Sequence, residues 1–148
     1  MTRVLDVRGL RKYYPIHRGV LGRHVADVRA VDDVSFGIDR GETLSLVGES
    51  GCGKTTTSRC ILRAIAPSAG EIRFCDETGA EIDVARLKRR ELRPLRRQMQ
   101  MIFQDPFSSL NPRMTIAEII GEPLLVNGMS DARERNERVA DLLEMVHL

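Results

Sequence analysis

The segment Gly48 to Thr55 most strongly limits what this 148-residue chain can fold into. Its spacing, G-x-x-x-x-G-K-[ST], is typical of a loop whose consecutive backbone N–H groups surround an anion. Glycine is required because such a loop turns its amides inward, with backbone angles that a Cβ atom would obstruct. Lys54 offers a point charge to the β and γ phosphates of a nucleotide, and the Thr55 hydroxyl is suited to Mg²⁺. A helix beginning near Lys54 would direct its positive N-terminal end at the same anion.

The flanking sequence favours this interpretation over a chance glycine-rich turn. Thr43 to Val47, TLSLV, predicts a buried strand, and Thr55 to Ala66 predicts a helix with Ile61, Leu62 and Ile65 on one face. Strand, loop and helix follow in the order that a phosphate-binding loop requires. We therefore expect an α/β fold with a P-loop core that binds a nucleoside triphosphate.

Charge and cysteine content exclude several other classes of protein. The 23 basic and 21 acidic residues leave a formal charge of only +2, which argues mildly against a nucleic-acid partner. Cys52, Cys60 and Cys75 are odd in number and form no C-x-x-C pair, so neither a disulfide framework nor a zinc site is predicted. A nucleophilic or redox role for Cys52 is disfavoured against a small residue at a variable loop position, because no base or second cysteine is close in sequence.

Membrane and metal signals are weak in this chain. No uncharged apolar run approaches the roughly 20 residues of a spanning helix, so membrane association is expected only through a partner. The N-terminus, MTRVLDVRGL, carries no signal-peptide core. His17, His24 and His147 lack metal-ligand spacing and are predicted to lie at the surface or at strand edges.

Hydrophobic periodicity predicts the other elements. Strands are expected at residues 3–8, 34–38, 71–75 and 99–103. An exposed loop is expected at 11–29, an irregular loop at 104–112, and a turn at 39–42. A helix is predicted from Thr115 to Val126 with an interruption at Pro123. A last helix is predicted to open near Ser130 or Asp131 and to place Val139, Leu142, Leu143 and Val146 on one face. Because nothing follows that apolar face, we expect that the chain is cut short and that the isolated chain is poorly soluble.

The segment from Arg86 to Arg97 is rich in basic residues. Its members are Arg86, Lys88, Arg89, Arg90, Arg93, Arg96 and Arg97. A nucleic-acid patch is one interpretation, but a solvated helical face is favoured because no aromatic residue is interleaved with the charges.

Gln104 distinguishes among the classes of P-loop protein. A GTPase should carry N-K-x-D, which is absent. A general ATPase should carry four apolar residues ending in Asp, and the nearest candidate, Met101 to Asp105, is interrupted by Gln104. Here the sequence resembles the ATP-binding cassette family. GESGCGKTT is similar to the Walker A loop of that family, and Gln104 after an apolar strand is similar to its Q-loop glutamine. Tyr14 lies where the family places an aromatic that stacks on adenine, with Tyr13 as the alternative.

The resemblance implies MgATP as cofactor and a set of site residues. Lys54 and Gln104 are the expected catalytic residues, and Thr55 and Gln104 the expected metal contacts. The expected nucleotide-binding residues are Tyr14, Gly48, Glu49, Ser50, Gly51, Cys52, Gly53, Lys54, Thr55 and Thr56.

The match narrows to ATPase subunits of oligopeptide and dipeptide importers. Glu91 to Leu124 and Leu10 to Gly19 carry this similarity, while the signature loop, the strand-end Asp, the catalytic Glu and the switch His are absent. His147 is not assigned the switch role. The resemblance implies that residues 1–148 are the N-terminal portion of the ATP-binding domain, with an antiparallel β subdomain, and that hydrolysis requires the complete protein.

The expected partners are a second ATPase subunit, in a heterodimer, and transmembrane permease subunits at the cytoplasmic face of the inner membrane. A non-catalytic nucleotide-binding module and a nucleic-acid-linked ATPase of the same superfamily remain alternatives. The resemblance leaves the transported substrate open among oligopeptides, dipeptides, nickel and related substrates.

Overall fold

The computed structural model describes residues 3–19, 22–105 and 110–148, which divide into two units, residues 1–101 and 102–148. The first unit contains strands β1 (Arg3–Arg18), β2 (Arg23–Asp39), β3 (Ala69–Cys75) and β4 (Glu81–Asp83), helices α1 (Lys54–Ile61) and α2 (Leu92–Leu95), and a 3₁₀ turn at Val84–Arg86. The second contains α3 (Ile116–Val126) and α4 (Ala132–Met145).

The first unit is built on an antiparallel sheet with strand order β2-β1-β3-β4. Alternate residues of its strands face the core, as in β3, where Ile72 and Phe74 are buried. The core also contains Val7, Leu10, Val31, Cys60, Val84, Leu92 and Leu95. The predicted antiparallel subdomain and the strands predicted at 3–8, 34–38 and 71–75 are thus confirmed.

The exposed loop predicted at residues 11–29 is wrong in its described part. These residues extend β1 and β2 into a two-stranded ribbon, in which Tyr14 pairs with Val28 and Ile16 with Ala26. The ribbon has water on both faces, so polar and basic residues are tolerated there and no buried face marks it in the sequence. Pro15 fits because β3 pairs with β1 only from Leu5 to Arg11, which leaves this part of β1 with a single neighbour.

Two predicted strands, Thr43 to Val47 and Met99 to Phe103, are not strands in the structure. Val47 is 91% exposed and Ile102 is 96% exposed, although both belong to the apolar runs that predicted burial. A strand of a parallel sheet needs neighbours that are distant in sequence. Among the described residues no strand pairs with either segment, and this explains the error.

Helix α1 begins at Lys54, as predicted, but ends at Ile61 and not at Ala66. Past the end of the helix, Arg63 adopts a left-handed backbone with φ 53°. Its guanidinium donates to the carbonyl oxygens of Val84 and Leu87, both at 3.1 Å. This clasp joins the end of α1 to the 3₁₀ turn.

The basic segment is solvated but is not a continuous helical face. All seven of its Arg and Lys residues are exposed, as expected. The segment forms only the end of the 3₁₀ turn and the single-turn helix α2. Leu92 and Leu95 of α2 are buried, so these two side chains fix the position of the segment.

The two helices of the second unit begin where capping residues predict. Thr115 and Glu118 form a capping box at α3, and Asp131 caps α4 by accepting from the Glu134 amide at 2.8 Å. The predicted interruption at Pro123 is wrong, since α3 runs through it and the Asn127 amide still donates to the Pro123 carbonyl at 3.1 Å.

The apolar face predicted for α4 is formed only in part. Val139 is buried and Leu142 and Leu143 are half-buried, whereas Val146 lies beyond the helix and is 62% exposed. His147 is exposed and has a left-handed backbone, φ 62°.

Candidate nucleotide site in the phosphate loop

The loop between residue 48 and α1 has the backbone geometry that its glycines predict. Gly51 and Gly53 have φ values of 85° and 96°, in the left-handed region that favours glycine. A Cβ atom on Gly53 would lie 2.3 Å from the Ala30 carbonyl oxygen of β2. Ala30 is the extra residue of a β-bulge, because β2 advances from Val31 to Arg29 while β1 advances from Lys12 to Tyr13. The bulge and Gly53 therefore fit together where the loop meets the sheet.

Lys54 folds back over the loop that precedes it. Its Nζ donates to the carbonyl oxygens of Gly48 at 2.7 Å and Glu49 at 2.6 Å. Cys52 Sγ accepts a third, longer contact at 3.4 Å. The ammonium thus lies against the mouth of the loop, at the beginning of α1, where it can donate to an anion held by the backbone amides.

The first turn of α1 leaves its leading amides free of intrahelical partners. The first helical bond is donated by the Thr57 amide to Gly53 at 2.8 Å, and Gly53 gives no side-chain cap. The amides of Lys54, Thr55 and Thr56 precede that bond, which is the arrangement that attracts phosphate to a helix N-terminus. Thr55 is exposed at this turn. The residues present therefore fit a bound triphosphate.

The remaining hydroxyls of α1 are turned back into the helix. Thr57 Oγ1 donates to the Gly53 carbonyl at 3.0 Å, and Ser58 Oγ donates to the Lys54 carbonyl at 3.1 Å. Thr57 is buried and Thr56 is half-buried. Of these residues, Thr55 alone combines a position in the first turn with an exposed side chain.

The two neighbouring tyrosines of β1 lie on opposite faces of the strand. The Tyr13 hydroxyl donates to Asp32, and the Arg29 guanidinium lies 5.6 Å from the Tyr13 ring centroid. This hydrogen bond raises the pKa of Tyr13 and lowers the pKa of Asp32. The Tyr14 ring is instead covered by the Lys12 ammonium at 4.8 Å and is 39% exposed. Tyr13 is thus occupied by polar partners, whereas Tyr14 keeps a free part of its ring.

Gln104 belongs to the second unit, and the phosphate loop belongs to the first. Gln104 is exposed and lies at a bend. The predicted loop that begins there extends over residues 106–109, which lie outside the described residues. Cys52 is exposed within the phosphate loop, and a Cβ atom on Gly48 would lie 2.7 Å from its sulfur. Cys52 Sγ therefore packs against the beginning of the loop, and its role as a small residue at a variable position stays a prediction.

Two side chains near the site carry no sequence signal for the roles that the structure gives them. Lys12 covers Tyr14, and Arg63 holds the end of α1 through carbonyl groups. Burial raises the pKa of the Cys60 thiol in α1, and the positive charges of Lys12 and Arg63 oppose that rise. Both cations therefore lie within electrostatic range of the helix that follows the phosphate loop. A run of alternating residues in β1 is the only pattern that relates Lys12 to Tyr14 in sequence.

Within the described ranges, no helix is both long enough and apolar enough to cross a membrane. The same residues contain no cluster of three His, Cys, Asp or Glu side chains placed to hold a metal ion.

Comparison with known families decides the classification. The profile of the ABC transporter family matches residues 31–148. The chain belongs to the ABC transporter family. Its fold agrees, since a solved ABC cassette, the dimeric MJ0796 bound to ADP and Pi, superposes with a TM-score of 0.71 over 97% of this chain at 27% identity.

Relatives that match nearly the whole chain include ATP-binding proteins of transport and import systems. The chain is 47% identical over 146 residues to the oligopeptide transport ATP-binding protein AppF of Bacillus subtilis. It is also 47% identical over 145 residues to the glutathione import ATP-binding protein GsiA of Salmonella choleraesuis. The match covers 98% of this chain in both cases but only 43% of AppF and 22% of GsiA, and it covers 57% of the MJ0796 cassette.

Proposed function

We propose that this chain binds MgATP in the loop Gly48 to Thr56 and forms one side of the ATP site of a peptide-importing ABC ATPase. The observation that carries the proposal is the placement of the Lys54 ammonium against the Gly48 and Glu49 carbonyls, beside the leading amides of α1. An anion held by those amides would accept from Lys54 directly. Charge-assisted hydrogen bonds of this kind are stronger than neutral ones, so they would favour a phosphate chain over a neutral ligand.

We also propose which residues would contact the divalent cation and the adenine base. Thr55 is proposed to contact Mg²⁺ through its exposed hydroxyl, and the cation would neutralise charge on the β and γ phosphates. The family resemblance also implies a Mg²⁺ contact for Gln104, and this role stays a prediction. Tyr14 is proposed to stack on adenine, because Tyr13 is already held by Asp32 and Arg29. Glu49, Ser50 and Cys52 would contribute backbone amides.

The whole protein is proposed to couple ATP hydrolysis to uptake. The names of AppF and GsiA refer to oligopeptide transport and glutathione import, which favours a short peptide as the transported substrate. Hydrolysis is proposed for the complete protein, paired with a second ATPase subunit and with permease subunits at the cytoplasmic face of the membrane. The dimeric state of the MJ0796 cassette supports the pairing. A nucleic-acid-linked function is disfavoured because the relatives that cover nearly the whole chain are import proteins.

Replacement of Lys54 by Ala tests this proposal in the intact subunit assembled with its partners. We expect MgATP binding to fall by at least about 100-fold and ATP-driven peptide uptake to be lost, because the charge at the loop mouth is removed. Lys88→Ala is the matched control, since Lys88 is an exposed lysine of the same unit that lies outside the loop. Uptake at the normal rate in the Lys54→Ala protein would refute the proposal.

A further inference from the structure

We propose that Lys12 is a positioning residue that holds the Tyr14 ring in the orientation required for stacking on the base. The inference rests on the proposed function, because it concerns the base end of the same site. Its starting observation is the Lys12 Nζ atom, which lies 4.8 Å from the Tyr14 ring centroid. This distance is within the range of about 6 Å over which a cation is attracted to an aromatic face.

The covalent geometry of β1 places the two side chains together. Lys12 and Tyr14 are two residues apart on a continuous strand, so they project from the same face. In the described part of the chain, Lys12 makes no ion pair, and the Tyr14 ring is the partner of its ammonium. An ammonium on one face of the ring leaves the other face to an aromatic ligand, and the 39% exposure of Tyr14 leaves room for one.

That face of β1 is also the one that adjoins the phosphate loop. Lys12 pairs across the ribbon with Val31, and Val31 Cγ2 lies 3.8 Å from the position that a Cβ atom on Gly53 would take. The charge of Lys12 also acts on Cys60 of α1, where it opposes the rise in the thiol pKa that burial causes. Lys12 therefore lies next to the Tyr14 ring and within electrostatic range of the helix that carries Lys54 and Thr55.

Tyr13 and Tyr14 differ in how their rings are held in place. The Tyr13 ring is fixed by its own hydroxyl, which donates to Asp32, and by Arg29 across the ribbon. Tyr14 projects from the exposed ribbon, beyond the stretch of β1 that pairs with β3. An aromatic ring held before the ligand arrives loses less conformational freedom on binding. Lys12 supplies that restraint without blocking the free face.

The test uses the intact subunit and compares Lys12→Met with Lys12→Arg. Met keeps the length and the apolar stem of the side chain but removes the charge, whereas Arg keeps the cation over the ring. We expect Lys12→Met to weaken ATP binding about twofold to fivefold and Lys12→Arg to restore it. The affinity for inorganic tripolyphosphate, measured by displacement of labelled ATP, is expected to stay unchanged in both variants.

The Tyr14→Leu background separates positioning from a direct role. If Lys12 acts through Tyr14, Lys12→Met has no further effect on ATP binding once Tyr14→Leu is present. A persistent loss in that background, a weaker tripolyphosphate affinity, or no loss of ATP binding in Lys12→Met alone would each overturn the inference. Failure of the proposed function has a different signature, which is ATP binding that survives Lys54→Ala.

Discussion

The antiparallel sheet and the two apolar segments, residues 43–47 and 99–103, have similar sequences but different structures. Both contain short runs of Val, Ile, Leu and Phe that predict strands. In the sheet, Ile72 is 0% exposed, whereas in the first apolar segment Leu46 is 41% exposed. The difference lies in the partners, because β1, β2, β3 and β4 pair with one another within the described residues and neither segment has a strand beside it. A run of apolar residues therefore indicates that burial is favourable. Whether the run forms a strand depends on the presence of another strand with which it can pair.

The largest expected effect compares a truncation in each region. Ile72→Ala removes a fully buried side chain at the centre of β3 and is expected to lower the free energy of unfolding by about 2–5 kcal/mol. Leu46→Ala, at a half-exposed position, is expected to cost less than about 1 kcal/mol in the 148-residue chain. Urea denaturation followed by circular dichroism measures both. Equal losses at the two positions would show that residues 43–47 are packed as well as the sheet.

A smaller loss of stability is expected inside the phosphate loop, where Gly53 lies against the sheet and Gly51 faces open space. Gly53→Ala combines backbone strain with a clash at 2.3 Å against the Ala30 carbonyl, so a loss of about 2–3 kcal/mol is expected. At Gly51, a Cβ atom would meet nothing within 4 Å, so Gly51→Ala carries only the strain of its left-handed backbone, about 1 kcal/mol. Thermal unfolding of the two variants measures the difference. A Gly51→Ala protein that is as unstable as Gly53→Ala would contradict the supporting role of the β-bulge.

The smallest effect belongs to an element whose start is encoded locally. Hydrogen bonds from the Thr115 backbone amide and hydroxyl lower the pKa of Glu118 from its ordinary value of 4.5. A lowered carboxyl pKa means that the stabilisation is fully present above the unfolded pKa and is lost as the pH falls through the folded pKa. Acidification from pH 6 through the lowered pKa of Glu118 is therefore expected to fray the first turn of α3, with a slight loss of helical signal in circular dichroism.

Glu118→Gln provides the control for this pH effect, because an amide accepts the same capping hydrogen bonds without titrating. We expect the pH-dependent part of the signal to disappear in this variant. If the loss on acidification is unchanged in Glu118→Gln, then the capping box is not its cause.

Local signals predicted the starts of elements well. The glycine and lysine spacing predicted a helix beginning near Lys54, where α1 begins, and of the two starts predicted for the last helix, Ser130 or Asp131, Asp131 caps α4. Such signals succeed because a cap or a glycine with positive φ acts through neighbours only a few residues away. The end of α1 was missed, since Arg63 leaves the helix to reach the Val84 and Leu87 carbonyls, which are distant in sequence.

The candidate site likewise has one part that was predicted from the sequence and one part that was not. The loop Gly48 to Thr55 was predicted from sequence because its chemistry resides in consecutive backbone amides and one lysine. The contact of Gly53 with the bulge at Ala30 and the cover of Tyr14 by Lys12 were not predicted, since both depend on the register of β1 against β2.

The sequence by itself determined the phosphate-binding motif, the antiparallel strands at 3–8, 34–38 and 71–75, and the family resemblance that the comparisons confirmed. Only the tertiary structure decided that residues 11–29 form a ribbon in their described part, that the two apolar segments are not strands, and which tyrosine keeps a free face. The physical reason is the range of the interactions. Motifs and caps act between residues close in the chain, whereas strand pairing, burial and the partners of an aromatic ring are set by segments that meet only after folding.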